Sequence, residues 1–131
     1  MTILKAALCF ALLSPIGALA SPPHPKLPKS ATASIAPVHR AAAHRDLQSL
    51  RRLMVQEFVW SFGGDDDADQ AIQSWRTSPS ELRTLVRLTA HACGYVDKNL
   101  IQCPTHAGIE HRAGFSNTDQ GWRMVYFLAG D

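Results

Sequence analysis

The chain has 131 residues, 13 basic and 11 acidic side chains, a net charge of +2 at pH 7 and three cysteines. This length predicts a single domain. A charge this close to balance lacks the basic surface that binds nucleic acid or anionic membranes, so we exclude both as partners. The sequence also lacks a cofactor fingerprint and metal-ligand spacing, and we predict no cofactor and no bound metal.

Residues 1–20 have the features of a secretory signal peptide. Lys5 precedes an apolar stretch over residues 6–13, and residues 18–20 read Ala-Leu-Ala, a small-residue cleavage pattern. The cysteine of this segment lies inside the apolar stretch rather than at its end, which disfavours a lipoprotein. We therefore predict cleavage after Ala20, a periplasmic or secreted location, and no membrane insertion of the mature chain. The alternative is a buried N-terminal helix of a cytosolic protein.

A proline-rich segment follows over residues 21–37, which hold five of the chain's eight prolines. Proline fixes φ and has no amide hydrogen to donate, so a helix is disfavoured and an extended chain is favoured. We predict a disordered linker over 21–37 and a single globular domain over 38–131.

The domain begins with a helical half over residues 38–54. Alanines open this stretch, and leucines then recur at helical spacing, so one face is apolar. Asp46 interrupts it, as an N-cap or as a kink between two short helices. Residues 57–62 switch to aromatic and β-branched side chains, which predicts a first strand with Trp60 and Phe62 on one face.

Four aspartates lie within residues 65–69, directly after a glycine pair. Their alternate spacing is that of the first half of an EF-hand loop, but Gln70 and Arg76 occupy the positions of its glycine and its bidentate glutamate. We therefore predict that the aspartates cap a helix rather than bind calcium. A second start signal, at residues 78–81, has the form of a capping box and predicts a long helix over 79–92.

The remainder of the chain has the alternation of strands. A short strand over 100–103 follows a turn, and residues 109–116 alternate as a half-exposed strand. The longest strand, over 122–129, is apolar on both faces with Trp122 and Tyr126 on the same face, so we expect it in the middle of the sheet. This order predicts an α+β domain, in which N-terminal helices and one long capped helix pack on a small, curved antiparallel sheet.

Cys93 and Cys103 are the pair left after cleavage of the signal peptide. An even cysteine count in an exported chain indicates a disulfide, which would close a loop of about ten residues and contribute roughly 2.5–3 kcal/mol in the loop-entropy model. A metal site that also includes His91 and His106 is the alternative, although its spacing lacks the usual zinc knuckle. We predict the disulfide.

Four side chains are the candidates for acid–base chemistry: Glu57, Asp97, His111 and Tyr126. A carboxylate in an apolar cavity has a raised pKa and serves as a base, and His111 shares a predicted strand face with apolar neighbours. An ordinary surface or packed side chain is the alternative for each. The candidates for a pocket are Trp60, Trp122 and Tyr126, with an ordinary core as the alternative.

Three stretches resemble the nuclear transport factor 2-like (NTF2-like, SnoaL-like) superfamily. Residues 41–64 (AAAHRDLQSLRRLMVQEFVWSFGG) resemble its first helices and strand, residues 67–75 (DADQAIQSW) the short helix that closes one end, and residues 121–131 (GWRMVYFLAGD) its last long strand. The resemblance implies helices on a curved sheet that forms a cone with a pocket at its open end. Few residues remain for strands, so we expect a shortened cone.

The sequence lacks a nucleophile triad as well as a cofactor fingerprint, and so predicts an exported binding protein for an unknown small molecule or protein partner. The resemblance implies an alternative, an isomerase- or dehydratase-type enzyme with Glu57, Asp97 or His111 as base and Tyr126 as hydrogen-bond donor. Further alternatives are an inhibitor or immunity protein for a periplasmic enzyme, and a structural envelope protein. A homodimer is left open.

Overall fold

The computed structural model describes Gly17 and residues 25–63 and 65–130. Within these residues the elements are α1 (Lys29–Ala43), α2 (Leu47–Arg52), β1 (Met54–Val59), α3 (Ala68–Thr77), α4 (Pro79–Ala90), β2 (Gly94–Asp97), β3 (Leu100–Cys103), β4 (Arg112–Thr118) and β5 (Gly121–Leu128). Three predictions fall wholly or partly outside the described residues. These are the signal peptide (of which only Gly17 is described), its cleavage site after Ala20, and the start of the linker. None of the helices in the described part of the chain is long and apolar enough to cross a membrane.

The predicted linker is wrong for residues 29–37, because α1 begins at Lys29 and contains Pro37. The buried side chains of α1 recur at helical spacing, and α1 packs against α4 and β5; these side chains are Ala31, Ile35, Val38, Ala41 and Ala42. A proline inside a helix costs about 3 kcal/mol, whereas burial of one large aliphatic side chain contributes about 1.5–3 kcal/mol. Burial of Ile35 and Val38 therefore offsets the proline.

The five strands form one mixed sheet in the order β1-β5-β4-β3-β2. The β2–β3, β3–β4 and β4–β5 pairs are antiparallel, as predicted, whereas β1 pairs with β5 in parallel. The prediction of an antiparallel sheet is therefore wrong at this edge. Most of the domain lies between β1 and β5 in the sequence, so no hairpin sets their relative direction. The predicted interior position of β5 and the α+β architecture are confirmed.

The first strand ends earlier than predicted, because Trp60 and Phe62 follow β1 instead of alternating within it. A short loop replaces the predicted end of the strand. The amide of Trp60 donates to the carbonyl oxygen of Asp65 at 3.2 Å, and the hydroxyl of Ser61 donates to Oδ2 of Asp65 at 2.6 Å. Both aromatic side chains therefore belong to a loop at the end of the sheet.

A β-bulge in β5 separates Tyr126 from Trp122. Gly114 pairs with Tyr126 and Phe115 pairs with Met124, so one residue of β5 between these pairs has no partner. Trp122 and Met124 are buried on the side of Phe115, whereas Tyr126 lies on the opposite face with Gly114. The prediction that Trp122 and Tyr126 share a face is wrong, because strict alternation is lost at a bulge.

The helix starts follow local sequence signals, with one exception. Asp46 caps α2 and Asp67 caps α3, each by accepting hydrogen bonds from amides of the first turn, which confirms the predicted capping. At α4 the predicted capping box is absent, because the hydroxyl of Ser78 does not bond to a helix amide although Pro79 occupies the first turn. The helix ends at Ala90, slightly before the predicted boundary.

The core between α3 and the sheet is aromatic. Trp75 of α3 meets Phe58 of β1 and Phe127 of β5 edge to face, with ring centroids 5.7 and 5.6 Å apart. Such aromatic pairs contribute about 0.5–1.5 kcal/mol each beyond their buried area. These rings fix α3 on the sheet beside the end at which β1 and β5 stop.

Candidate functional site

A cavity of 360 Å³ opens where β1 and β5 end. Because these two strands are parallel, the residues that follow both of them meet at the same edge of the sheet. We call this cavity the aromatic cleft and define it by six lining residues: Trp60, Phe62, Trp75, Glu81, His111 and Phe127. Its volume falls within the range of small-molecule sites, roughly 300–1,000 Å³.

Phe62 forms an exposed wall of the aromatic cleft, with 52% of its surface accessible. The guanidinium carbon of Arg112 lies 5.6 Å from the centroid of the Phe62 ring, a cation–π contact. Arg112 is itself fixed, because its Nη1 donates to the carbonyl oxygens of Gly108 at 3.1 Å and Gly130 at 2.9 Å. Gly130 has a positive φ of +108°, and a Cβ there would approach the Phe62 ring to 3.1 Å. The fold therefore holds a large apolar side chain open to solvent.

Trp60 contributes a second aromatic wall and an unused hydrogen-bond donor. The residue is partly buried, and its indole Nε1 is inaccessible to solvent and has no hydrogen-bond partner among the described residues. A buried donor without an acceptor costs about 1–3 kcal/mol. Most buried polar groups in proteins have partners, so this N–H is an exception among the described residues.

His111 and Glu81 give the aromatic cleft a polar side. Nε2 of His111 lies 3.6 Å from Oε2 of Glu81, and their side chains are 33% and 36% exposed. The imidazole ring also lies against Phe127, with ring centroids 5.4 Å apart and planes inclined by 31°. Together the two side chains can donate and accept hydrogen bonds to a ligand. The arrangement suits a ligand that combines an aromatic ring with polar atoms.

The structure does not bring the other candidate acid–base residues together. Glu57 is exposed on β1 and Asp97 is exposed on β2, and these strands lie at opposite edges of the sheet. Tyr126 donates its hydroxyl hydrogen to Oε1 of Gln102 at 2.6 Å, on the face that carries Gly114. Tyr126 is therefore not paired with Glu57, Asp97 or His111.

Tyr126 has its own structural setting. A Cβ at Gly114 would lie 2.2 Å from the Tyr126 ring, so the ring occupies the space that a side chain would need. Burial raises the pKa of the Tyr126 hydroxyl, and the positive charge of Arg112 partly opposes this effect. Among the predicted pocket residues, Trp60 lines the aromatic cleft, Trp122 is buried in the core and Tyr126 lies on the other face of the sheet.

Sequence reasoning overlooked Glu81 and Phe62 as site residues. The pattern at residues 78–81 resembles a capping box and so predicts a role for Glu81 at the helix start instead of in the pair with His111. The aromatic run predicts that Phe62 belongs to the first strand. A signal that the sequence does offer is the glycine pair after Phe62, which indicates a loop directly behind an aromatic run.

The predicted disulfide is confirmed, because Cys93 and Cys103 are joined by an S–S bond. It connects the segment after α4 to the end of β3. Both sulfurs are engaged, so neither serves as a ligand in the alternative metal site with His91 and His106. Within residues 25–63 and 65–130, no group of three or more His, Cys, Asp or Glu side chains is placed to hold a metal ion.

Two larger cavities border the disulfide. One, of 440 Å³, lies beside Pro104 and Thr105, and the other, of 420 Å³, lies between α1 and the end of α4. In the second, Nδ1 of His39 is already hydrogen-bonded to Oγ1 of Thr89 at 2.9 Å, and that hydroxyl donates to a helix carbonyl. We take the aromatic cleft as the candidate site in preference to these larger cavities because it combines aromatic walls with the contact between His111 and Glu81.

Comparisons with known proteins bear on the fold. No protein-family model matches the chain, and no curated protein matches it. The structure is similar to that of an NTF-2-like protein of unknown function from Shewanella oneidensis MR-1, with a TM-score of 0.50, 9% sequence identity, and coverage of 79% of this chain and 98% of that one. It is also similar to an NTF2-like protein with a cystatin-like fold from Novosphingobium aromaticivorans, with a TM-score of 0.45, 16% identity, and coverage of 76% and 79%. The first of these similarities shows that the chain has an NTF2-like fold.

Proposed function

We propose that this chain is an exported protein that binds a small molecule with an apolar ring system in the aromatic cleft. The observation that carries the proposal is an open 360 Å³ cavity with an exposed phenylalanine in its wall and one polar pair beside it. Concave sites that combine aromatic side chains with a small number of placed polar groups are typical of small-molecule binding. The NTF2-like fold fits a small binding protein or an isomerase-type protein.

The residues of the aromatic cleft indicate what the ligand gains on binding. Covering the exposed half of Phe62 contributes roughly 1 kcal/mol. Ser61, Ser74 and Ser78 also line the cleft and, with the imidazole of His111, offer hydrogen-bond donors to a ligand. A ring that carries a hydrogen-bond acceptor therefore fits the aromatic cleft better than a plain hydrocarbon.

The test is a fluorescence titration with naphthalene-2-sulfonamide, a neutral aromatic ring that carries acceptor oxygens. Trp60 is more exposed than the other two tryptophans, so saturable quenching should come mainly from this residue and be lost in Trp60→Phe. Phe62→Ala should weaken binding about fivefold, because roughly 1 kcal/mol of burial is lost. The matched control is Val96→Ala on β2, an exposed apolar side chain outside the cleft, and it should leave the Kd unchanged. Absence of saturable binding, or equal weakening by both variants, contradicts the proposal.

Export is supported by the signal-peptide features of residues 1–20 and by the Cys93–Cys103 disulfide, since disulfides persist mainly in oxidising compartments. The test is mass spectrometry of the protein recovered from the periplasm and medium of an expressing bacterium. Cleavage after Ala20 gives a mature chain that begins at Ser21. An intact N-terminus in the cytosolic fraction contradicts export.

An isomerase-type enzyme is the second candidate, and the contact between His111 and Glu81 in a cleft with aromatic walls favours it. Imidazole is the commonest general base in enzymes. The measurement is deuterium exchange at the carbon next to the carbonyl of a cyclic ketone, followed by NMR in heavy water. An enzyme accelerates this exchange and loses the acceleration in His111→Gln. Exchange at the buffer rate favours the binding protein.

A further inference from the structure

A second cavity, of 260 Å³, adjoins the aromatic cleft. His111 lines both cavities, so one ligand can contact the aromatic rings on one side of this imidazole and the second cavity on the other. We call the second cavity the basic cleft and define it by Arg87 and His91 at the end of α4 and by His106 and His111 from the segment before β4.

The basic cleft is rich in positive and ionisable nitrogen groups. Arg87, His91 and His106 are exposed, and no described carboxylate lies within ion-pair distance of any of them. Two acidic groups oppose this positive character: Glu110 lines the same cavity, and Glu81 contacts His111. The donors of the basic cleft are therefore available to an anion that enters from solvent.

We propose that the ligand of the aromatic cleft is an organic acid, with its ring among the aromatic side chains and its anionic group in the basic cleft. This inference rests on the proposed function and names the chemical class of the ligand. Guanidinium binds a carboxylate or sulfonate through paired, charge-assisted hydrogen bonds, and protonated imidazole adds single donors. The shared lining by His111 is what joins the two cavities into one site.

The experiment compares naphthalene-2-sulfonate with naphthalene-2-sulfonamide by isothermal titration calorimetry on the full chain. The two probes share a ring and differ in charge. The sulfonate should bind about tenfold more tightly than the amide, equivalent to about 1.4 kcal/mol, because it gains charge-assisted hydrogen bonds in the basic cleft.

The variant Arg87→Gln/His106→Gln locates the anionic group. Both side chains are exposed, so the fold should persist, which thermal unfolding checks. This variant should remove the preference for the sulfonate over the amide. Arg83→Gln is the matched control, because Arg83 is an exposed residue of the same helix that does not line the basic cleft. It should behave as the unmodified chain.

The outcomes separate this inference from the function on which it rests. If the amide binds and the sulfonate binds no more tightly, the ligand is not an organic acid and the binding function stands. If the preference for the sulfonate survives in Arg87→Gln/His106→Gln, the anion lies elsewhere and the inference is overturned. If neither probe binds, the proposed function fails and the inference fails with it.

Discussion

The substitution Gly114→Ala tests the register that places Tyr126 on the face opposite the aromatic cleft. The new Cβ would lie 2.2 Å from two carbons of the Tyr126 ring, closer than real Cβ contacts allow. The ring must therefore move off the backbone of β4. That movement breaks the 2.6 Å hydrogen bond from its hydroxyl to Gln102.

The expected magnitude follows from these contacts. Loss of the hydrogen bond costs about 1 kcal/mol, and overpacking typically costs about 1–3 kcal/mol. Replacing a strand glycine by alanine ordinarily stabilises by roughly 0.5–1 kcal/mol. The net expectation is a decrease of about 2 kcal/mol in the free energy of unfolding, which lowers Tm by roughly 10 °C in a domain of this size.

Urea unfolding of a double-mutant cycle measures this effect. In the Tyr126→Ala background the clash is absent, so Gly114→Ala should be neutral or slightly stabilising. Gly63→Ala is the matched control, because its nearest new contact, 3.6 Å from the Ser61 hydroxyl, is an ordinary one. Equal effects of Gly114→Ala with and without the Tyr126 ring would refute the register and the bulge that it implies.

Three further predictions concern stability. Replacing both Cys93 and Cys103 by serine should lower the free energy of unfolding by roughly 2.5–3 kcal/mol in urea, from a loop of about ten residues; no loss would exclude the disulfide in the folded protein. Asp67→Ala should cost about 1 kcal/mol by thermal unfolding because it removes the α3 cap, whereas Asp66→Ala should cost little. Burial in the folded protein raises the pKa of Tyr126 above its ordinary value of 10.0. The neutral hydroxyl therefore contributes to the free energy of unfolding below pH 10, and this contribution is lost as the pH rises above it. Tyr126→Phe should remove this alkaline loss, and its persistence would assign the loss to another group.

The parts of the fold that the sequence predicts are those set by local chemistry. Asp46 and Asp67 cap helices because a short acidic side chain reaches amides of the next turn, and that signal spans only a few residues. The disulfide is predicted from the even cysteine count of the chain that remains after the predicted cleavage at Ala20. The long apolar strand is found in the interior of the sheet because both its faces are apolar.

The parts that the sequence does not predict depend on distant pairings. The bulge in β5 is seen only once β4 is aligned beside it, and it moves Tyr126 away from Trp122. The parallel pairing of β1 with β5 brings Phe62 to the same edge of the sheet as Phe127. No local sequence pattern in either segment indicates this pairing. Glu81 joins the site for the same reason, because its contact with His111 arises only when α4 is packed on the sheet.

The measurement that tests the central claim most directly is an NMR titration that follows the three indole N–H signals with naphthalene-2-sulfonamide. Trp60 and Trp75 line the aromatic cleft, whereas Trp122 does not. Binding in the aromatic cleft should shift the signals of Trp60 and Trp75 with a single Kd and leave Trp122 unchanged. The absence of shifts at Trp60, or shifts confined to Trp122, would contradict the aromatic cleft as the binding site.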